Sequence, residues 1–210
     1  MKKLRKFSLE EDYKIARNDG DIIYPSVSLT EDTEKTWIKP YENYIIATYN
    51  ITDVNDDVLI YNYYSDLYYN LSKIIVDGEE ILPDEYGYID TWWYFDTVGE
   101  HTIEFHLLNE LESAYSIFDG CKRLTSVDFT HFDSSKLHTN CNYTFSNCES
   151  LTNIKFGKYF NTSNICYMNC MFSNCKSLEN VDISMFDTHN VETMEYMFDG
   201  CENLKSLDLS

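Results

Sequence analysis

Apolar and polar residues alternate in short runs through the middle of the chain and recur in longer blocks towards its end. Between residues 41 and 111 the alternating runs predict strands at YIIATYNI (44–51), DVLIYNYY (57–64), KIIVDG (73–78), TWWYF (91–95) and HTIEFHLL (101–108). Val76-Asp77-Gly78 and Val98-Gly99-Glu100 supply turn chemistry between them. Short strands with turns at this spacing predict a small antiparallel β-sandwich.

From about residue 112 one phrase recurs: FDGCKRLTSVDF, FSNCESLTNIKF, FSNCKSLENVDI and FDGCENLKSLDL. Its leading aromatics, Phe118, Phe145, Phe172 and Phe198, stand 27, 27 and 26 residues apart. A fixed period in this range is the signature of a solenoid built from one stacked unit. In the last copy Val191, Met194, Met197 and Phe198 recur at helical spacing, with Thr188 as a cap and Gly200 at the helix end. Leu207 and Leu209 then alternate with polar residues as in a short strand. The pattern therefore predicts about four helix-turn-strand coils whose strands stack as a parallel sheet. Their core is expected at Phe118, Cys121, Leu124, Phe145, Cys148, Leu151, Phe172, Cys175, Leu178, Phe198, Cys201 and Leu204. No polar cap follows the fourth strand, so Leu207 and Leu209 are expected to form an open end that a second copy or another protein covers.

Residues 1–40 read as a leader or attachment segment. Ser8 and Glu11 form a capping box beside Phe7, opening a helix that stops at Gly20. Val27 and Leu29 alternate with serines as in a strand, and Pro40 marks a joint. The expected organisation is thus leader (1–40), β-sandwich module (41–111) and repeat solenoid (112–210), an α+β chain.

Charge narrows the partners. With 16 basic residues against 36 acidic ones, the net charge is −20. Such a chain repels phosphate backbones, so nucleic-acid binding is not expected. No run approaches the roughly 20 apolar residues of a membrane span. The opening MKKLRKF resembles the charged start of a signal peptide, but the charged SLEEDYKIARNDGD follows where an apolar stretch belongs. No export signal is therefore expected. The cysteines Cys121, Cys148, Cys175 and Cys201 recur at one point of the repeat, as small buried residues do.

Little else reads as chemistry. No phosphate loop, dinucleotide fingerprint or zinc-protease helix occurs, and the five histidines are scattered. No catalytic residue, metal site or cofactor is expected. Asp53, Asn55 and Asp57 copy the start of a calcium loop, but Val58 and Tyr64 stand where its glycine and closing glutamate belong. An acidic hairpin turn is the simpler reading. Trp92 and Trp93 are strand neighbours and point to opposite faces, so one ring faces the core. The other is either covered by the leader or the solenoid, or forms an exposed platform with Tyr61, Tyr63 and Tyr64 that suits a sugar ring or a subunit.

The segments FNTSNICYMNCMFSNCKSLENVDIS (160–184) and FDTHNVETMEYMFDGCENLKSLDLS (186–210) resemble the BspA-like leucine-rich repeats almost position for position. Such repeats are found on gut and oral bacteria, some parasites and mycoplasmas, so the resemblance implies a binding module without catalytic residues. The segment ending VGEHTIEFHLLNELESAYSIFDGC resembles a small domain that precedes such repeats in Bacteroides-type proteins. The leader KFSLEEDYKIARNDGDIIYPSVSLTEDT resembles N-termini of Bacteroides phage proteins, including crAss-like ones. These resemblances imply a non-enzymatic interaction or adhesion protein associated with a virion, such as a head fibre, assembled in the host cytoplasm. The expected partners are a protein or second copy at the leader and the open end, and a host-surface glycan or protein. A bacterial cell-surface adhesin and a glycan-active enzyme are the alternatives.

Overall fold

The computed structural model describes residues 43–158 and 160–207. The chain divides after Lys39, and the described residues all belong to the second unit, Pro40–Ser210. The leader elements around Ser8, Glu11, Phe7, Val27, Leu29 and Pro40 lie outside the described residues, as does Leu209.

The second unit is built on one mixed sheet. Its strands are β1 (Tyr44–Ile51), β3 (Leu71–Val76), β4 (Glu79–Ile81), β6 (Gly99–Leu107), β7 (Leu124–Asp128) and β9 (Asn153–Lys155), in the order β4-β3-β6-β1-β7-β9. The first four are antiparallel neighbours, with Tyr44 opposite His106 and Ile51 opposite Gly99 along β1 and β6. β1 also pairs antiparallel with β7, and β7 pairs parallel with β9. The sheet thus passes from the module into the repeats without a break. A separate ribbon joins β2 (Val58–Leu59) to β5 (Trp92–Trp93).

The expected sandwich does not form. Alternation places Ile45, Ala47, Tyr49 and Ile51 of β1 and Ile103 and Phe105 of β6 on one buried face. Among the described residues the module's other pairing is the two-residue ribbon of β2 and β5, and irregular segments plug that face. Tyr61 crosses Phe105 edge to face at 5.6 Å and donates from its hydroxyl to the Ile89 carbonyl at 2.5 Å. The Tyr49 hydroxyl donates to the Ile60 carbonyl. Of the predicted strand at 57–64 only Val58–Leu59 pairs as one. Beyond it the amides go elsewhere, Ile60 to Thr91 O and Asn62 to Ile117 O, each at 2.8 Å. A four-residue helix, α1 (Asp66–Tyr69), follows, and it is the only α-helix among the described residues.

Helix-turn-strand coils do not form either, so among the described residues the α+β expectation gives way to strands and turns with almost no helix. In every copy the residue two before the phenylalanine is left-handed: Ser116, Tyr143, Cys170 and Tyr196 have φ of 53°, 59°, 54° and 57°. The residue two after it is left-handed as well: Gly120, Asn147, Asn174 and Gly200, at 81°, 59°, 58° and 71°. Such residues interrupt a right-handed helix twice per copy. The backbone donors are spent between copies instead. Cys141, Tyr143, Phe145 and Asn147 donate to the carbonyls of Tyr167, Asn169, Met171 and Ser173, at 2.8–3.0 Å. The copies therefore stack through a ladder of turns. Three short parallel pairings, β8 (Thr139–Asn140) with β10 (Ile165–Tyr167) and bridges from Tyr167 to Thr193 and from Asn180 to Ser206, extend the register.

Side chains repeat the ladder. The rings of Phe118, Phe145, Phe172 and Phe198 stack at centroid spacings of 5.8, 5.5 and 5.2 Å. Beside them the thiols of Cys148, Cys175 and Cys201 donate to the carbonyls of Phe118, Phe145 and Phe172 at 3.1, 3.1 and 3.0 Å. On the surface Glu149 sits between Lys122 at 3.0 Å and Lys176 at 2.8 Å. One hydrophobic core runs from the module through the stack.

Candidate functional site

The repeat residues singled out above are interior. Phe118, Cys121, Leu124, Phe145, Cys148, Leu151, Phe172, Cys175 and Leu178 are fully buried. Phe198, Cys201, Leu204 and Leu207 are half-buried and pack on the same core. Burial raises the thiols of Cys121 and Cys148 well above the usual range and pushes Cys141 up to about 12. These are inert thiols held by packing. Among the described residues no group of three His, Cys, Asp or Glu is arranged to hold a metal ion.

The acidic stretch at Asp53, Asn55 and Asp57 closes on itself. Asp53 Oδ1 accepts the Asn55 amide at 2.9 Å and its side-chain nitrogen at 2.8 Å, and these bonds hold the Asp53 carboxyl below its usual range. Asp57 accepts the Tyr94 hydroxyl, while neighbouring Asp56 pairs with Arg123 at 2.6 Å.

Exposed aromatics collect on the module, on segments 62–69 and 82–94. Trp92 is 51% exposed, Tyr63 48%, Tyr64 69% and Tyr94 64%, whereas Trp93 is half-buried against the core. The two indoles therefore face opposite ways; a cover from the leader lies outside the described residues. Tyr61 leaves the proposed platform altogether, because it is fully buried in the core.

Two adjoining clefts open beside Trp93 and Ile81, which line both. One, of about 530 Å³, is bounded by Tyr63, Tyr68, Tyr88, Asp84 and Asp90. The other, of about 450 Å³, is bounded by Glu79, Tyr94, Asp96, Thr97 and His101. The first wall depends on Asp84, which the sequence reading missed. Its Oδ1 accepts the amides of Tyr86 at 2.9 Å and Tyr88 at 3.0 Å, and Gly87 turns the chain at φ +86°. That turn lays Tyr88 flat on Tyr68, centroids 4.9 Å apart and planes 8° from parallel. The signal was present as Pro83-Asp84 with Gly87, a turn cluster ahead of an alternating Tyr88-Ile89 pair.

In the second cleft His101 Nδ1 meets Asp77 Oδ2 at 2.6 Å. Its Nε2 lies 2.9 Å from the Thr97 carbonyl, closer than the 3.3 Å to the Thr97 hydroxyl. Asp77 and Thr97 thus hold the ring from both sides. Burial works to raise the Asp77 carboxyl, but the bonds from His101 and the Thr102 amide outweigh it and lower it.

The architecture defines a class first: a repeat protein whose stack continues the sheet of a preceding module. Residues 110–210 match the family described as Mycoplasma protein of unknown function, DUF285. No curated protein and no solved structure matches the chain. No helix among the described residues is long and apolar enough to cross a membrane.

Proposed function

We propose that the chain is a non-enzymatic interaction protein, with repeats of the BspA-like kind as a scaffold and the module's cleft face as its binding surface. One observation carries this reading. The recurrent thiols and phenylalanines are consumed in the stack, while exposed Tyr63, Tyr88 and Tyr94 line the two clefts. The resemblance of the leader to phage proteins supports a place in a virion, as a head fibre or another appendage. The resemblance of the repeats to the BspA-like kind supports a second reading, an adhesin on a bacterial surface. Mass spectrometry of purified particles and of fractionated uninfected cells separates them. The virion reading expects the chain in particles alone, and detection in uninfected envelope fractions overturns it.

A further inference from the structure

The edge of the sheet beside the clefts is short, acidic and open. Among the described residues β4 (Glu79–Ile81) pairs only with β3, no strand lies beyond it in the sheet, and Glu79 and Glu80 are exposed. Asp77 and Gly78, at φ 50° and 90°, form the two-residue turn between β3 and β4, which matches the twist of a hairpin. In such a hairpin the residues flanking the turn, Val76 and Glu79, exchange both backbone hydrogen bonds. Glu80, one residue on, then turns its own N–H and C=O outward. A free backbone edge of this kind accepts an added strand.

The clefts sit against this edge, because Ile81 lines both and Glu79 lines one. No lysine or arginine lines either cleft. Asp84 and Asp77 are held by their own chain's donors. Glu79, Asp90 and Asp96 form no ion pair among the described residues. The aromatic walls offer few free faces, since Tyr68 and Tyr88 cover one another and Tyr63 packs on Tyr64 at 3.9 Å. A sugar ring needs an open flat face. A cation is served by carboxylates in a cleft that partly desolvates it, and Glu79, Asp90 and Asp96 supply them here.

We propose that the β4 edge and its two clefts dock an extended basic segment of a partner protein. The segment adds a strand beside Glu80, and alternate lysine or arginine side chains enter the clefts on either side of Trp93. Side chains two residues apart on a strand point the same way, roughly 7 Å apart, which suits adjoining clefts. The acidic edge also repels a second copy of a chain carrying a net charge of −20. The proposal rests on the reading of the module as a binding surface, but not on whether that surface belongs to a virion or a cell.

The test is titration of the full chain with a twelve-residue alternating Lys-Val peptide, followed by tryptophan fluorescence and calorimetry. A Glu-Val peptide and a set of neutral oligosaccharides are titrated alongside. The Lys-Val peptide alone is expected to bind, with affinity falling about tenfold between low and high salt. Combined Glu79→Lys and Asp90→Lys is expected to weaken binding by about tenfold or more, and the same charge change at Glu110 and Glu195 to leave it almost intact. Glu80→Pro, which removes the outward donor from an edge position, weakens binding without altering the charge of the clefts. Each variant is first checked for an unchanged circular dichroism spectrum and unfolding midpoint. Binding of both peptides, of oligosaccharide alone, or of none overturns the proposal. The particle and cell fractionation stands apart from all three outcomes.

Discussion

The Cys175 thiol lies 3.1 Å from the carbonyl oxygen of Phe145, one copy upstream, and it is fully buried. Cysteine recurs here because the site wants a small apolar side chain that still carries a weak donor. Cys175→Ala keeps the size class but leaves that carbonyl with one partner fewer. The expected loss is about 1–2 kcal/mol in urea unfolding. A loss near zero would mean that the contact is incidental.

Thiol accessibility follows from the same ladder. Cys166 and Cys170 are half-exposed, while Cys121, Cys141 and Cys148 are buried with raised thiols. In the native protein at pH 8 a thiol reagent is expected to label Cys166 and Cys170 first. Cys121, Cys141 and Cys148 react only with unfolding. Peptide mapping of the labelled chain reads out the order, and early labelling of Cys148 would contradict the stacked core.

The alternation of Gly120, Asn147, Asn174 and Gly200 along the stack was visible in the sequence, but its meaning was not. The spacing of Met194, Met197 and Phe198 fits a helical face, and a ladder of turns buries the equivalent Met168, Met171 and Phe172 just as fully. Periodicity reported that these residues face inward; it did not report the backbone that takes them there. The deciding information lay in the left-handed residues, and Tyr143 and Cys170 give no propensity signal for that conformation. The strand at Tyr44–Ile51 was legible to the residue because one sheet face is wholly buried. The clefts were not, because Trp93 joins Asp84 in one and Glu79 in the other only through tertiary contacts.

Those left-handed positions give a direct comparison. Asn147 sits at φ 59° and donates to Asp119 Oδ1 at 3.0 Å, while Asn174 donates to Asn147 Oδ1 at 3.1 Å. Asn147→Gly removes both hydrogen bonds and relieves the backbone. Asn147→Ala removes them and adds the Cβ penalty. Alanine is therefore expected to be the more destabilising by about 1 kcal/mol, although it has the higher helix propensity. The opposite order in thermal unfolding would restore a helical reading of this segment.

Electrostatic stacking is tested through pH. Hydrogen bonds from Lys176 and then Lys122 hold the Glu149 carboxyl down at about 2. A carboxylate depressed on folding stabilises the native state above its unfolded value, near 4.3, and loses that contribution as pH falls towards the folded value. Glu149→Gln is therefore expected to be less stable than the parent at pH 7, and the gap to narrow steadily between pH 4.5 and 2. The pairs are at the surface, so the gap at pH 7 is within about 1 kcal/mol and shrinks in 1 M salt. Reversing the column, with Lys122→Glu, Glu149→Lys and Lys176→Glu together, restores stability that any one reversal loses.

Gly157 marks where two copies come closest, and it admits no side chain. A Cβ there would stand 2.6 Å from the Phe129 carbonyl oxygen and 2.7 Å from the Thr130 Cα. Both are backbone atoms, so no rotamer change relieves the contact. The surrounding rings leave no slack, since Phe129 stacks on Phe156 at 5.8 Å and meets Phe160 edge to face at 5.3 Å. Gly157→Ala must push these copies apart. The expected cost is about 1–3 kcal/mol, the usual range for overpacking. Exposed Gly87, whose added Cβ meets nothing within 4 Å, supplies the contrast. Its substitution strains the turn at φ +86° without parting the stack. Hydrogen exchange separates the two. Gly157→Ala is expected to speed exchange at the Phe129 amide, which donates to the Lys155 carbonyl across the copies, and Gly87→Ala to leave it unchanged.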